Sequence, residues 1–303
     1  IINKSLFEFE KIFFLKNKNT KNQDHVFITG MPRAGTTSLL NFLYSTNHYA
    51  SLTYRDIPFV MSPHFSKIFS KKNIIKKERL HEDGIAFDLD SPEAIDEIFF
   101  SYNEGFIKKE LINYIKLILL SYNKDRYLSK NNYNFKRIDL ICEILPNSKF
   151  LILIREPFHH SNSLLKQHIH FSKLQKENSF IRRYMNYLGH NEFGLDHKPW
   201  NDTENFNNYE SINYWLEQWN LFYQKILDKF KNYDNCYFLI YEQLTDSQYL
   251  KKLLEKINFN AVDDIDWDFF KNSNRSIINT DFSHSIYKRS NEIYLNFKDL
   301  SLK

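Results

Sequence analysis

Cysteine is nearly absent: Cys142 and Cys236 are the two in 303 residues. One stands in an apolar helix-like stretch and the other in an apolar strand. The pair reads as buried thiols of a reducing compartment, and it excludes a disulfide framework or a zinc site. Glycine and proline are sparse as well, six and seven, and no Pro-, Gly- or Ser-rich linker divides the chain. No internal repeat is present. No run of about 18 apolar residues occurs, which excludes an integral membrane helix in this chain. The nearest, Ile112 to Leu120, is interrupted by Lys116. A large excess of one charge is also missing. The net charge of +4 suits an anionic small ligand and falls short of the balance of a nucleic-acid-binding protein. A signal-peptide pattern is lacking, so the expected location is cytoplasmic, although the opening residue, Ile1, leaves room for a removed upstream anchor or targeting segment.

Apolar residues make up 42% of the chain, charged residues 26% and aromatic residues 17%. That composition fits a globular protein whose core is rich in Phe and Tyr. Short β-type runs are expected at 25–30, 50–54, 126–130, 149–154 and 236–242. Helical patterns are expected at 36–44, 92–102, 106–122, 135–145, 159–174, 211–231 and 248–257. Such alternation is the signature of an α/β fold with a central parallel sheet between two layers of helices. Lys149-Phe-Leu-Ile-Leu-Ile154 is apolar almost throughout, as a strand covered on both faces must be. The reading is one domain over residues 1–303, with an irregular excursion or lid at about 178–208.

The segment His25-Val-Phe-Ile-Thr-Gly-Met-Pro-Arg-Ala-Gly-Thr-Thr-Ser-Leu-Leu40 reads as strand, tight loop and helix start. Gly30 and Gly35 have the four-residue separation of a phosphate-binding P-loop. In such a loop successive backbone N–H groups curl around an anion, and the N-terminus of the helix adds unsatisfied donors. Thr36, Thr37 and Ser38 supply hydroxyls. An ATPase loop would carry Lys where this chain has Thr36, and here the cation comes earlier, at Arg33. A magnesium-holding Asp at the end of a neighbouring apolar strand is absent too, because the 149–154 run leads into Arg155. The pattern fits a nucleotide handled without metal.

A second anion motif follows in Phe150-Leu-Ile-Leu-Ile-Arg-Glu-Pro-Phe-His-His-Ser-Asn-Ser-Leu-Leu165. The strand delivers Arg155 at its carboxyl edge, and Ser163, eight residues later, falls in an early turn of the next helix. Ligands of open α/β sheets bind at that edge.

Gly30-Met-Pro-Arg-Ala-Gly-Thr-Thr37 resembles the 5′-phosphosulfate loop of the sulfotransferases that use 3′-phosphoadenosine 5′-phosphosulfate (PAPS), in the bacterial and Golgi-type form. Arg155 and Ser163 resemble the family's 3′-phosphate site. The resemblance implies a P-loop-like α/β/α fold and contacts to PAPS from Arg33, Ala34, Gly35, Thr36, Thr37, Ser38, Arg155 and Ser163. It implies transfer of a sulfuryl group to a hydroxyl or amine, with adenosine 3′,5′-bisphosphate (PAP) as product and no metal. Phe238-Leu-Ile-Tyr-Glu-Gln-Leu244 looks like a strand segment common in the family. Leu128-Ser-Lys-Asn-Asn132 resembles more loosely a strand end whose Lys faces the phosphosulfate. Ser283-His-Ser-Ile-Tyr-Lys-Arg-Ser290 stands where members carry a basic C-terminal loop, which implies cofactor contacts from Tyr287, Lys288 and Arg289.

Sulfuryl transfer needs cations on the developing charge and a base for the acceptor proton. Arg33 is the first cation and Lys130 the second, against a plain solvated lysine at a strand end. The base is expected among Asp56, His81, Glu82 and Asp83. Asp56 is placed just past the 50–54 strand, with Arg55 as a rival partner, and His81 is suited to proton transfer near neutral pH. Gly189-His-Asn-Glu-Phe-Gly194 reads as an acceptor contact. Trp215 and Trp219 read as core, and Lys71, Lys72, Lys76 and Lys77 as a solvated helix face. The acceptor implied is a carbohydrate, a glycosylated metabolite or another small molecule. Two other functions use the same residues: a P-loop nucleotide kinase, and a non-catalytic nucleotide-binding relative.

Overall fold

The computed structural model describes the chain apart from residues 1, 16–23, 70–76, 79–85, 103–106, 188–190, 201–207, 262–264, 272–280 and 303. Five strands form one parallel sheet: β1 (Val26–Thr29), β2 (Tyr49–Ala50), β5 (Arg126–Lys130), β6 (Lys149–Ile154) and β7 (Cys236–Ile240). Their spatial order is β2-β5-β1-β6-β7, which puts β1 at the centre. Two short strands, β3 (Lys77–Glu78) and β4 (Ala86–Phe87), pair antiparallel outside it.

Parallel neighbours require crossovers, and helices supply them. Helix α2 (Thr36–Ser45) follows β1, α7 (Pro157–Glu177) follows β6, and α10 (Ser247–Lys256) follows β7. Helices α5 (Ile107–Tyr122), α6 (Ile138–Ile144) and α9 (Ile212–Phe230) lead into β5, β6 and β7. The remaining helices are α1 (Ile2–Phe14), α3 (Pro63–Phe69), α4 (Glu97–Tyr102), α8 (Ser179–Tyr187) and α11 (His284–Leu300).

Alternation along the strands makes two cores. Phe150, Ile152 and Ile154 of β6 face a cluster that includes Phe27, Ile118, Trp215, Trp219 and Phe297. Leu151 and Leu153 face the other way, toward Leu39, Leu43, Leu239, Leu250 and Leu254. The result is three layers with the parallel sheet in the middle. Trp215 and Trp219 are fully buried core residues.

Several local expectations are corrected. The 50–54 strand is only Tyr49–Ala50. From Tyr54 the chain turns into a 3-10 helix, Tyr54–Phe59, because Thr53 and Asp56 form a reciprocal capping box across its start. The expected helix at 92–102 begins only at Glu97. Pro92 bridges to Thr53, and fully buried Asp96 accepts hydrogen bonds from Ser129 Oγ (2.5 Å) and Asn131 Nδ2 (2.9 Å). The excursion after 178 opens with α8. Lys77 belongs to a strand and not to a helix, while Lys71, Lys72 and Lys76 lie outside the described residues. The C-terminal basic segment is no loop: Ile286, Tyr287, Ser290, Ile293, Tyr294 and Phe297 recur at helical spacing and pack α11 inward. Cys142 is half-buried and Cys236 buried, and both are free thiols.

Candidate functional site

The loop between β1 and α2 is shaped by its backbone. Gly30 (φ 147°), Arg33 (φ 69°) and Gly35 (φ 99°) all take positive φ. A Cβ on Gly30 would lie 2.8 Å from the Leu153 carbonyl oxygen, and one on Gly35 would lie 2.4 Å from the Tyr241 ring. Both positions therefore require glycine. Gly35 caps α2 without a side-chain hydrogen bond, so the amides of the first turn open toward the loop. Thr36 is buried there, and Thr37 and Ser38 are half-buried.

Arg33 holds a left-handed conformation that costs a side-chain-bearing residue about 1–2 kcal/mol. Neighbouring side chains hold the loop in that shape. Arg155 Nη1 donates to the Arg33 carbonyl oxygen (3.2 Å), and His160 Nε2 to that of Pro32 (2.8 Å). The Tyr223 hydroxyl accepts from Met31 N–H (3.4 Å) and donates to the Leu153 carbonyl (2.8 Å). His160 is fully buried. Burial first, and the Arg155 charge second, press its pKa down to about 3. The ring is neutral, with its proton on the nitrogen that faces Pro32.

The second motif meets the first directly. Strands β1 and β6 are paired neighbours, with Thr29 opposite Ile152, so the residues that follow them emerge side by side at the carboxyl edge. Arg155 leaves β6 there, only 8% exposed, and its guanidinium stands 5.2 Å from the centre of the Tyr241 ring. Glu156 caps α7 by accepting from Phe158 N–H (3.2 Å) and His159 N–H (2.7 Å), with Pro157 in the first helical turn. Two turns into α7, Ser163 Oγ accepts from Arg33 Nε at 3.4 Å. Arg33, Arg155 and Ser163 thus form one cluster.

Lys130 ends β5 opposite Ile28, two residues before Gly30. Its side chain is largely buried, and its ammonium lies 4.0 Å from Glu93 Oε1. The other Glu93 oxygen accepts from the Tyr54 hydroxyl (2.8 Å). Glu93 is held at this edge by its N–H, which donates to the Leu52 carbonyl. Sequence reasoning did not single out Glu93, because it stood inside an expected helix.

Asp56 is placed differently from expectation. It is fully buried, and Oδ2 accepts from Thr53 N–H (2.8 Å), Thr53 Oγ (3.3 Å) and the Tyr122 hydroxyl. Oδ1 is buried without a hydrogen-bond partner. Burial raises its pKa, partly opposed by these donors. Arg55 turns away from it to Asp90 (2.6 Å). His81, Glu82 and Asp83 lie outside the described residues, as do Gly189 and His190. Of the C-terminal residues, Arg289 pairs with Glu217 at 3.3 Å and Lys288 is exposed. Tyr287 donates to Glu156 at 3.1 Å, so it meets the anion cluster through a carboxylate.

Among the described residues no group of three or more His, Cys, Asp or Glu is arranged to hold a metal ion, and no helix is long and apolar enough to cross a membrane.

Comparison with curated protein sequences finds no match. Among solved structures, the sulfotransferase STF1 from Mycobacterium tuberculosis H37Rv superposes with a TM-score of 0.55 at 11% identity, covering 98% of this chain and 82% of that one. Sulfotransferase STF9 from Mycobacterium avium gives 0.47 at 10% identity, covering 96% and 72%. The first likeness shows the fold. The family model described as "Sulfotransferase family" matches residues 25–258, from the start of the central strand to the turn after α10, and the chain belongs to that family.

Proposed function

We propose that the protein transfers a sulfuryl group from PAPS to a hydroxyl or amine of a small-molecule or glycan acceptor. One observation carries the reading: Arg33, in the loop after β1, contacts both Arg155, at the end of the adjacent strand β6, and Ser163, in the helix that follows it, beside the open N-terminus of α2. Two anionic groups joined by a nucleoside fit such a pair of sites, and the donor supplies the activated sulfuryl group. Backbone amides of Ala34 to Ser38, with the Thr36, Thr37 and Ser38 hydroxyls, hold its 5′ side. Arg155 and Ser163 hold the 3′-phosphate. Arg33 and Lys130 face the charge that develops during transfer, where fixed cations act without reorganising.

Glu93 is the base in this reading. Its carboxylate is at the carboxyl edge beside Lys130, and like that lysine it is largely buried, with 12% of its side chain exposed for an acceptor proton to reach. Asp56, sealed inside its capping box, organises the chain after β2 instead.

Thermal unfolding with PAP, and with ATP plus magnesium, tests the donor. At about 100 times its dissociation constant PAP should stabilise the protein by about 2.7 kcal/mol without metal. Stabilisation by ATP with magnesium alone would replace this reading with a kinase. The base is tested by labelled sulfate transfer. Glu93→Gln should lower turnover by roughly 10²–10⁴ with PAP affinity intact, whereas Asp56→Asn should lower stability. Normal turnover in Glu93→Gln removes Glu93 from the role.

A further inference from the structure

We infer that α11 acts as a latch on the 3′-phosphate site, with Tyr287 and Tyr294 as positioning residues for Arg155; this rests on the assignment of Arg155 made above. Tyr287 and Tyr294 are two turns apart and share the inward face of α11 with Ser290 and Phe297. The Tyr287 hydroxyl donates to Glu156 Oε1 (3.1 Å), and the Tyr294 hydroxyl to Glu242 Oε2 (2.9 Å). The Glu242 carboxylate is also tied to the backbone of Glu156, whose N–H donates to Glu242 Oε1 at 2.9 Å.

Each carboxylate adjoins a part of the phosphate site. Glu156 directly follows Arg155 and caps α7, the helix that carries Ser163. Glu242 directly follows Tyr241, whose ring lies against Gly35 and beneath the Arg155 guanidinium. A rotation of either carboxylate would shift the backbone next to Arg155 or the ring under it. It would also bring a negative charge toward the place the 3′-phosphate must occupy. The two phenols hold both carboxylates to the α11 side. The helix itself is anchored at both ends. Asn220 Nδ2 donates to the Ile286 carbonyl (3.3 Å), and Phe297 packs on Phe238 and Tyr223. Tyr223 in turn holds the phosphate loop at Met31.

A helix that merely completes the core would support every ligand equally. A latch on Arg155 supports only ligands that carry a 3′-phosphate. Calorimetric titration of PAP and of adenosine 5′-phosphosulfate, which lacks that phosphate, separates the two. The variants are Tyr287→Phe, Tyr294→Phe, their combination and Arg155→Ala, with unfolding midpoints recorded for each. Each tyrosine variant should weaken PAP by about tenfold, the scale on which outer partners support a binding group, and leave adenosine 5′-phosphosulfate within about twofold. Arg155→Ala should show the same selectivity, larger. If Arg155→Ala is selective and the tyrosine variants weaken both nucleotides equally, or neither, the latch is refuted while the 3′-phosphate site stands. If Arg155→Ala weakens both equally, the assignment of Arg155 falls and the latch with it. Should the double variant unfold, Tyr287→Phe alone decides, since its ring is half-exposed and its loss strains the core least.

Discussion

Replacing Gly35 by Ala tests whether the loop and the strand end after β7 are one packed unit. Two separate costs arise. At φ 99° an L-residue is strained, by about 1–2 kcal/mol for the left-handed region. The new methyl would also sit 2.4 and 2.5 Å from the Tyr241 Cδ2 and Cε2 atoms, against the roughly 3.5–4.0 Å of ordinary carbon contact. The ring must move by about 1 Å, and overpacking of this kind costs about 1–3 kcal/mol. Gly35→Ala should therefore lose about 2–5 kcal/mol in urea unfolding, followed by fluorescence of buried Trp215 and Trp219. In a Tyr241→Ala background only the backbone cost remains, so the same substitution should lose about 1–2 kcal/mol there. Equal losses in the two backgrounds would refute the packing argument, and a loss below about 1 kcal/mol in the parent would refute both parts.

Tyr223→Phe removes the hydroxyl shared by Met31 N–H and the Leu153 carbonyl. It should cost about 1–3 kcal/mol of stability and weaken PAP in calorimetry; unchanged values for both would show the loop does not lean on it. Glu10 gives the pH dependence. Its side chain is buried, Oε1 accepts from Phe65 N–H (2.8 Å), and burial raises its pKa from 4.5 to about 7. The folded chain then binds this proton more tightly than the unfolded chain, so Glu10 costs no stability below pH 4.5 and progressively lowers it as pH rises through about 7. Unfolding measured at about pH 5 and pH 8 should show Glu10→Gln gaining on the parent at the higher pH, and a constant difference would overturn the assignment.

The sheet was legible because β1, β6 and β7 are compact apolar runs, and strands of that kind form in few other ways. Strand β2 was overextended, since nothing in Thr-Tyr-Arg-Asp announces that Thr53 and Asp56 will cap each other and turn the chain. Helix α1 went unread because its apolar residues point both ways: Phe7 is buried while Phe9 and Phe13 are exposed, so the periodicity blurs. The C-terminal helix was hidden by Lys288 and Arg289, whose charge drew attention from the Tyr287–Tyr294–Phe297 face. At the site, Arg33, Arg155 and Ser163 were readable because each belongs to a local motif. Glu93, His160, Tyr223 and Tyr294 were not, since each acts on a partner far along the chain, which only the fold brings near.

Neutral, buried His160 has a consequence for how the protein answers to acidity. The groups that belong to the loop or hydrogen-bond to its backbone include Arg33 and Arg155, whose charge does not titrate, His160, which stays neutral above about pH 3, and Tyr223, whose phenol burial drives further up. None of these changes charge between mild acid and mild alkali. The loop's own groups are thus electrostatically constant, and in the proposed reaction the curve of turnover against pH reports on groups outside the loop.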